Sequence, residues 1–291
     1  REQPAEQASP YPAPVLDISP ERLAAFTSWV EEWLHDLQSA HEEKLIQWAD
    51  EEKAYRAKYE GDLTFPFVGA SGVLVPLIAM GVDPVYARLD TGIFKGDRVF
   101  IVRPLRKSFV DLAPKLERWL QFVQKHKLKL RSHISPRILE LTKHGTMVLK
   151  VCYEYESRTI KGYDDRTYEV IDKNVSSQGA RIFGVSLNDF LFPARYQHLQ
   201  DCPVAFERIR TTPGRLKAAE GSGKYKDVDD VVAHAVKSPT LTVLETERES
   251  SARHRDTGLA RKEVDGLWEG YCDYDIYGYG SEERLCFTFH E

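Results

Sequence analysis

The sequence is poor in the residues that most directly announce chemistry. Its four cysteines, Cys152, Cys202, Cys272 and Cys286, are scattered, with no CxxC pair and no histidine at zinc-ligand spacing, which argues against a zinc site of that kind. Neither charge sign dominates. With 40 Lys and Arg against 45 Asp and Glu, the formal net charge is −5, which weighs against a dedicated nucleic-acid binder. No apolar run approaches the roughly 20 residues of a membrane span, because the stretch 73–82 is interrupted by Pro76 and Gly81. No secretory signal is visible. What is present is 42% hydrophobic residues with 13 Phe, 14 Tyr and 5 Trp in 291 positions. That composition predicts an ordered, soluble chain forming one large domain or two ordinary ones.

The pattern along the chain predicts an α+β fold: a long N-terminal helix and further helical segments, then an antiparallel, strand-rich region. Residues 1–18 hold four prolines and read as an extended arm, 19–145 as mainly helical, and 146–291 as strand-rich with a terminal hairpin. Ser19-Pro20-Glu21 is a helix start, with serine as cap and proline in the first turn. Phe26, Trp29, Val30, Trp33, Leu34 and Leu37 follow at three- and four-residue steps, so the helix runs to about Tyr59, with a break near Ser39 to His41 as the alternative. Asp83-Pro84 and Ser135-Pro136 repeat the cap-then-proline signature, the second helix stopping at Gly145. Ser108 and Asp111 resemble a capping box, with Pro114 delaying the start. Val99 to Val102 reads as a short buried strand. From Thr146 the period becomes two, which predicts a strand with one buried face returning through a turn at Gly162-Tyr163-Asp164-Asp165. Short helices are expected around 215–220 and 228–236, and 245–255 as an exposed charged segment or linker. A four-residue loop at 278–281 would set Tyr274 opposite Leu285 and Asp275 opposite Arg284, and Cys272 and Cys286 on opposite faces. Free thiols are therefore expected.

Motifs of catalysis or ligand binding fail at specific positions. Gly69-Ala70-Ser71-Gly72 approaches a nucleophile elbow, but Val73 stands where the last glycine belongs. Gly221-Ser222-Gly223-Lys224 resembles the end of a phosphate loop, yet Ala218 and Tyr225 break the pattern. Asp273 and Asp275 begin like a calcium loop whose fifth and twelfth places hold Tyr277 and Arg284. His35 and His41 lie six apart, and His126 and His133 seven apart, so neither pair has the spacing of a helical zinc motif. Between Arg103 and His144 stand eleven Lys or Arg against three acids. Long basic side chains solvating helix faces account for such a run. A basic face toward DNA or an acidic neighbour, built from Arg103, Arg106, Lys107, Lys125, Lys127, Lys129 and Arg131, is the alternative.

Several stretches taken in order resemble the portal proteins of tailed bacteriophages. They are Phe65-Pro66-Phe67-Val68-Gly69-Ala70-Ser71 with Val75-Pro76-Leu77-Ile78, then His144-Gly145-Thr146-Met147-Val148-Leu149-Lys150-Val151. Val185-Ser186-Leu187-Asn188-Asp189-Phe190-Leu191-Phe192-Pro193 and Tyr274-Asp275-Ile276-Tyr277-Gly278-Tyr279-Gly280-Ser281-Glu282-Glu283 complete the series. The resemblance implies a structural, non-enzymatic subunit without cofactor or metal, repeated in a ring of about twelve around packaged double-stranded DNA. It implies the major capsid protein, terminase and tail or adaptor proteins as neighbours, no membrane, and a place at the portal vertex of the virion after assembly in the host cytoplasm. Phe65, Pro66, Phe67, Gly69 and Ser71 become a candidate subunit-contact loop. Such portals continue into stem, clip and channel-lining segments that have no counterpart here. The likeness is therefore to the outer wing, as a fragment, the ordered portion of a longer polypeptide or half of a split portal. A DNA-binding adaptor and, last, a hydrolase centred on Ser71 are the competing expectations.

Overall fold

A computed structural model describes residues 18–58, 75–97, 99–163, 170–196, 198–221, 225–237, 242–250 and 263–291. The helices are α1 (Pro20–Tyr55), α2 (Leu77–Phe94), α3 (Ala113–Phe122), α4 (Leu130–His144), α5 (Pro213–Gly221), α6 (Val228–Ala235) and α7 (Val243–Ser250). The strands are β1 (Val148–Tyr163), β2 (Val170–Val185), β3 (Phe190–Leu191), β4 (Val204–Arg208), β5 (Val236–Lys237), β6 (Glu263–Val264), β7 (Leu267–Tyr274) and β8 (Glu283–His290). The fold is α+β, and all strand pairs among the described residues are antiparallel. Two compact units form, one from Arg1–Pro76 with Ser186–Glu291 and one from Leu77–Val185. α4 and β1 lie in the same unit.

In the first unit, α1 packs on a four-stranded sheet of order β3-β4-β7-β8. Phe26, Val30, Leu34 and Leu37 recur at three- and four-residue steps and so form one stripe, which packs with Leu191, Val204, Phe206, Trp268 and Cys272 from the strands. The helix is continuous through 39–41 and ends four residues before Tyr59. At 36 residues it is about 54 Å long. Ser19 occupies the cap position with extended backbone, but its side chain makes no capping bond. Farther along, Leu45, Trp48 and Ala49 are buried as well, and α1 also meets α7, whose Leu244 is fully buried. Of the segment 245–255 expected to be exposed or a linker, residues up to Ser250 belong to this helix, and 251–255 lie outside the described residues. The helix starts with a reciprocal cap in which Thr242 N–H donates to Glu245 and Glu245 N–H donates to the Thr242 hydroxyl. A smaller cluster gathers Leu216 of α5, Val228 and Ala235 of α6, Val264 and Leu267.

The terminal hairpin forms in a register two residues from the one expected. Tyr274 pairs with Glu283, Cys272 with Leu285 and Asp273 with Arg284, whose side chains form the ion pair at 2.8 Å. The displacement follows from Asp275, whose carboxylate accepts N–H bonds from Gly278, Tyr279 and Gly280 and so becomes the organiser of a longer loop. A shift of two preserves the faces. Cys272 and Cys286 remain on opposite sides, and all four cysteines are free thiols.

In the second unit, α2 and α4 enclose Phe94, Leu130 and Ile138, with Tyr86, Val99, Leu128, Ile134 and Ile182 around them. Both helices start earlier than expected and carry Pro84 and Pro136 inside. Each proline leaves the carbonyl four residues back without its donor, but those residues, Met80 and Ser132, are exposed, so water can serve instead. α3 begins with Pro114 in its first turn, and 107–109 form a separate single turn. α4 ends where Gly145 takes φ 71° and donates to the Leu141 carbonyl. Residues 99–102 are not a strand. The ribbon of β1 and β2 has no third partner among the described residues, so nothing there offers 99–102 a ladder. The ribbon also reverses the expectation of a buried apolar face. Val151 and Tyr153 are 70% and 64% exposed, whereas Val148 on the other face is buried.

Candidate interaction surface

All seven basic candidates fall in the second unit, but they form two groups rather than one patch. Arg103, Arg106 and Lys107 precede α3, and Lys125, Lys127, Lys129 and Arg131 follow it. The helix between spans about 15 Å, more than one Debye length at physiological salt, so the two groups act largely separately.

The second group is set by an irregular turn. After α3 the chain makes a wider π turn over 123–127, in which Leu128 N–H donates to the Val123 carbonyl at 2.8 Å. Lys129 then adopts the left-handed region at φ 46° before α4 begins. The bend points Lys125, Lys127, Lys129 and Arg131 to solvent. Arg131 is committed elsewhere. It bonds buried Asp90 at 2.7 Å and lies 5.7 Å over the Phe94 ring, which closes the core of this unit.

The first group borders an open groove of about 420 Å³. Val102, Leu105, Phe109, Leu112 and Leu116 line it, with Arg103 and Arg106 also at its wall. Leu105 is 97% exposed, and Phe109, Leu112 and Leu116 are exposed as well. α3 is strongly amphipathic by sequence but turns Leu116, Trp119 and Phe122 outward, and α2 exposes Ile78, Val85, Leu89 and Ile93 along one face. Most of the large apolar side chains exposed among the described residues belong to this unit. Scattered exposed apolar groups are ordinary, whereas contiguous ones mark surfaces that meet another molecule.

Other candidates resolve differently. The contact loop Phe65, Pro66, Phe67, Gly69 and Ser71, the hydrolase serine among them, lies outside the described residues, as do 222–224 and most of the arm at 1–18. Asp275 is occupied by three backbone donors, which hold its carboxyl below the usual range. Among the described residues no group of three or more His, Cys, Asp or Glu is placed to share a metal ion. His126 lies 4.9 Å from the Phe122 ring and His133 5.8 Å from Phe183, so both pack on aromatic neighbours.

Sequence reasoning missed a polar hub in the first unit. Asp189 Oδ1 accepts from Arg208 Nε at 3.0 Å and from Arg210 Nε at 2.8 Å, and Arg210 also pairs with Glu245 at 2.6 Å. Burial opposes the Arg210 charge, but the Asp189 bond and the charges of Asp189, Glu245 and Glu263 outweigh it and raise its pKa. His41 of α1 sits beside this hub, against Trp48 at 5.6 Å. Burial lowers its pKa, partly offset by a hydrogen bond to the Asn188 backbone. The available signal was Arg208 and Arg210 two apart, which an extended chain sends to one side where they need an acid. The hub ties residues 187–191 to β4 and α7. It is a clamp on the fold. The chain matches no protein-family model and no curated protein.

Proposed function

We propose that this chain is a structural subunit of a phage portal ring at the capsid vertex, forming part of the conduit for packaging and ejecting DNA and the attachment site for tail components. The observation that carries this reading is the apolar surface exposed by α2, α3 and the segment before α3, which one copy leaves bare and a neighbour can cover. The ordered series of portal-like stretches supplies the identity of the assembly. In this role identical subunits pack about an axis, the capsid, terminase and tail proteins are the neighbours, and no bond is made or broken. Electron microscopy of assembled particles is the test. A ring of this chain around DNA is the expected image, and a stable monomer absent from virions would refute the reading.

The exposed cations around the groove and the turn support a second reading, a DNA-binding adaptor. Its signature is duplex binding that weakens steeply with salt, because each neutralised phosphate releases counterions. Absence of duplex binding at low salt removes this alternative.

A further inference from the structure

We propose that the groove before α3 receives the Ile46 face of α1 from a second copy of the chain, in a head-to-tail contact whose rim pairs Arg103, Arg106 and Lys107 with Glu42 and Glu43. This contact rests on the ring reading above and deepens it by naming the two faces that meet.

The two faces complement one another in both shape and charge. On the first unit, α1 turns Leu45, Trp48 and Ala49 inward, while Ile46 stands 54% exposed on the outer face. Glu42, Ile46 and Asp50 are four residues apart and share one ridge, with Glu43 beside them, so a single aliphatic knob stands among carboxylates. Lys53 lies 3.5 Å from Asp50, which leaves Glu42 and Glu43 as the main negative charge of the ridge. The second unit presents the inverse. Leu105, Phe109, Leu112 and Leu116 form an aliphatic and aromatic socket of about 420 Å³. Arg103 and Arg106 form part of its wall, and exposed Lys107 and Lys115 stand nearby, against a single exposed acid in this stretch, Asp111.

Charge also selects the symmetry. Either face placed against itself sets like charges opposite each other, which costs affinity and suppresses that pairing. Acidic knob against basic socket is favourable, and a contact joining two different faces either is exchanged reciprocally by two copies, closes into a larger ring or runs on as a filament. A nucleic acid would satisfy Arg103, Arg106 and Lys107 but brings no aliphatic group for Leu105, Phe109 and Leu112. A membrane would meet the apolar groups but leaves the acidic ridge of α1 without a role.

Charge reversal tests the contact in the full 291-residue chain by sedimentation velocity across a concentration series. The chains compared are the unaltered one, Glu42→Lys with Glu43→Lys, Arg103→Glu with Arg106→Glu, all four changes together, and an equimolar mixture of the two reversed chains. All four positions are exposed, and circular dichroism checks that each variant is folded. The expected result is self-association of the unaltered chain, weakened roughly 100-fold in either reversed chain and regained to within about tenfold in the mixture and in the fourfold variant, given the several-kcal/mol effect of like charges at an interface. Rings that form equally well from the reversed chains would overturn this contact and leave the ring reading standing. A discrete pair of copies, dissolved by reversal and restored by mixing, would support the contact and refute the ring. An unaltered chain that stays single, or that binds anionic vesicles without self-associating, would overturn the contact.

Discussion

Replacing Gly270 by alanine puts a methyl group where the Phe287 ring already lies. The two residues are directly opposite in the β7–β8 ladder, and a Cβ at 270 would stand 2.4 Å from Phe287 Cζ and 2.8 Å from Cε2. Carbon atoms settle at about 3.5–4.0 Å, so the ring must retreat by roughly 1 Å. It has little room. Phe287 meets Phe26 of α1 edge-on at 5.0 Å and stacks on Phe289 at 5.7 Å, and Phe289 in turn meets Phe206. The aromatic row that fastens α1 to the sheet therefore takes up the displacement. Overpacking of this kind costs about 1–3 kcal/mol, and we expect about 2 kcal/mol for Gly270→Ala.

Urea unfolding followed by tryptophan fluorescence reads this cost, since Trp29, Trp33, Trp48 and Trp268 belong to the first unit and only Trp119 to the second. With a urea dependence of about 2 kcal/mol per molar, the midpoint falls by about 1 M. Phe287→Ala alone loses about 2–3 kcal/mol, because the ring is partly exposed, but it also vacates the space the new methyl needs. The double variant should then be little worse than Phe287→Ala, a coupling of about 1.5 kcal/mol between the positions. A Gly270→Ala chain within about 0.5 kcal/mol of the original, or strictly additive costs, would refute the reasoning, because both require a ring that moves freely.

Three further predictions follow from the first unit. Asp189→Asn leaves Arg208 and Arg210 facing a neutral amide, with Glu245 and the more weakly acting Glu263 to offset them, and should destabilise by about 2 kcal/mol, discounted from the fully buried case because all three side chains keep some solvent contact; an unchanged melting temperature contradicts it. His41 has its folded pKa below 6.5, so the unfolded chain binds the proton more tightly, and its contribution is complete above about pH 6.5 and lost as pH falls through the folded value. His41→Gln should flatten the melting temperature between pH 7 and 5, and an identical slope in both chains would count against that account. Cys286 is exposed, whereas Cys272 is fully buried with its pKa pushed up to about 12 by burial, then by Asp273. A thiol reagent at pH 8 should label Cys286 in the native chain and Cys272 only after unfolding, as peptide mapping would show; equal rates would be inconsistent with the fold.

The features legible in the sequence were those determined by local periodicity. Phe26, Val30, Leu34 and Leu37 announced the buried stripe of α1, Gly145 the end of α4, and the alternation from Val148 the first strand of the ribbon. Long-range or side-chain choices were not legible. The hairpin register turned on Asp275 capturing three amides, an event that strand alternation cannot express. Pro84 and Pro136 read as helix starts, because the pattern does not reveal that the affected carbonyls sit on exposed residues. The Asp189 hub joins residues 189, 208, 210 and 245, and only the fold brings them together. The basic candidates are all exposed, and sequence could not single out Arg131, whose guanidinium bonds buried Asp90 and lies over the Phe94 ring.

The same contrast bears on what kind of protein this is. In the first unit, apolar periodicity and burial agree: the stripe of α1 meets the inner face of the sheet, and its Phe26 packs against Tyr274 and Phe287. In the second unit they disagree. α2 and α3 carry helical apolar faces, and β1 alternates cleanly, yet Leu89, Leu116, Trp119, Val151 and Tyr153 face solvent, while the buried cluster rests on Phe94, Leu130 and Ile138. Natural sequences keep local pattern and global burial consistent except where another requirement intervenes. An isolated 291-residue chain would gain solubility from polar groups at those positions. Retaining apolar ones makes sense when the missing half of the contact comes from outside the chain, as in the proposed contact, where the groove lined by Leu105, Phe109, Leu112 and Leu116 takes the acidic ridge around Ile46 of a second copy.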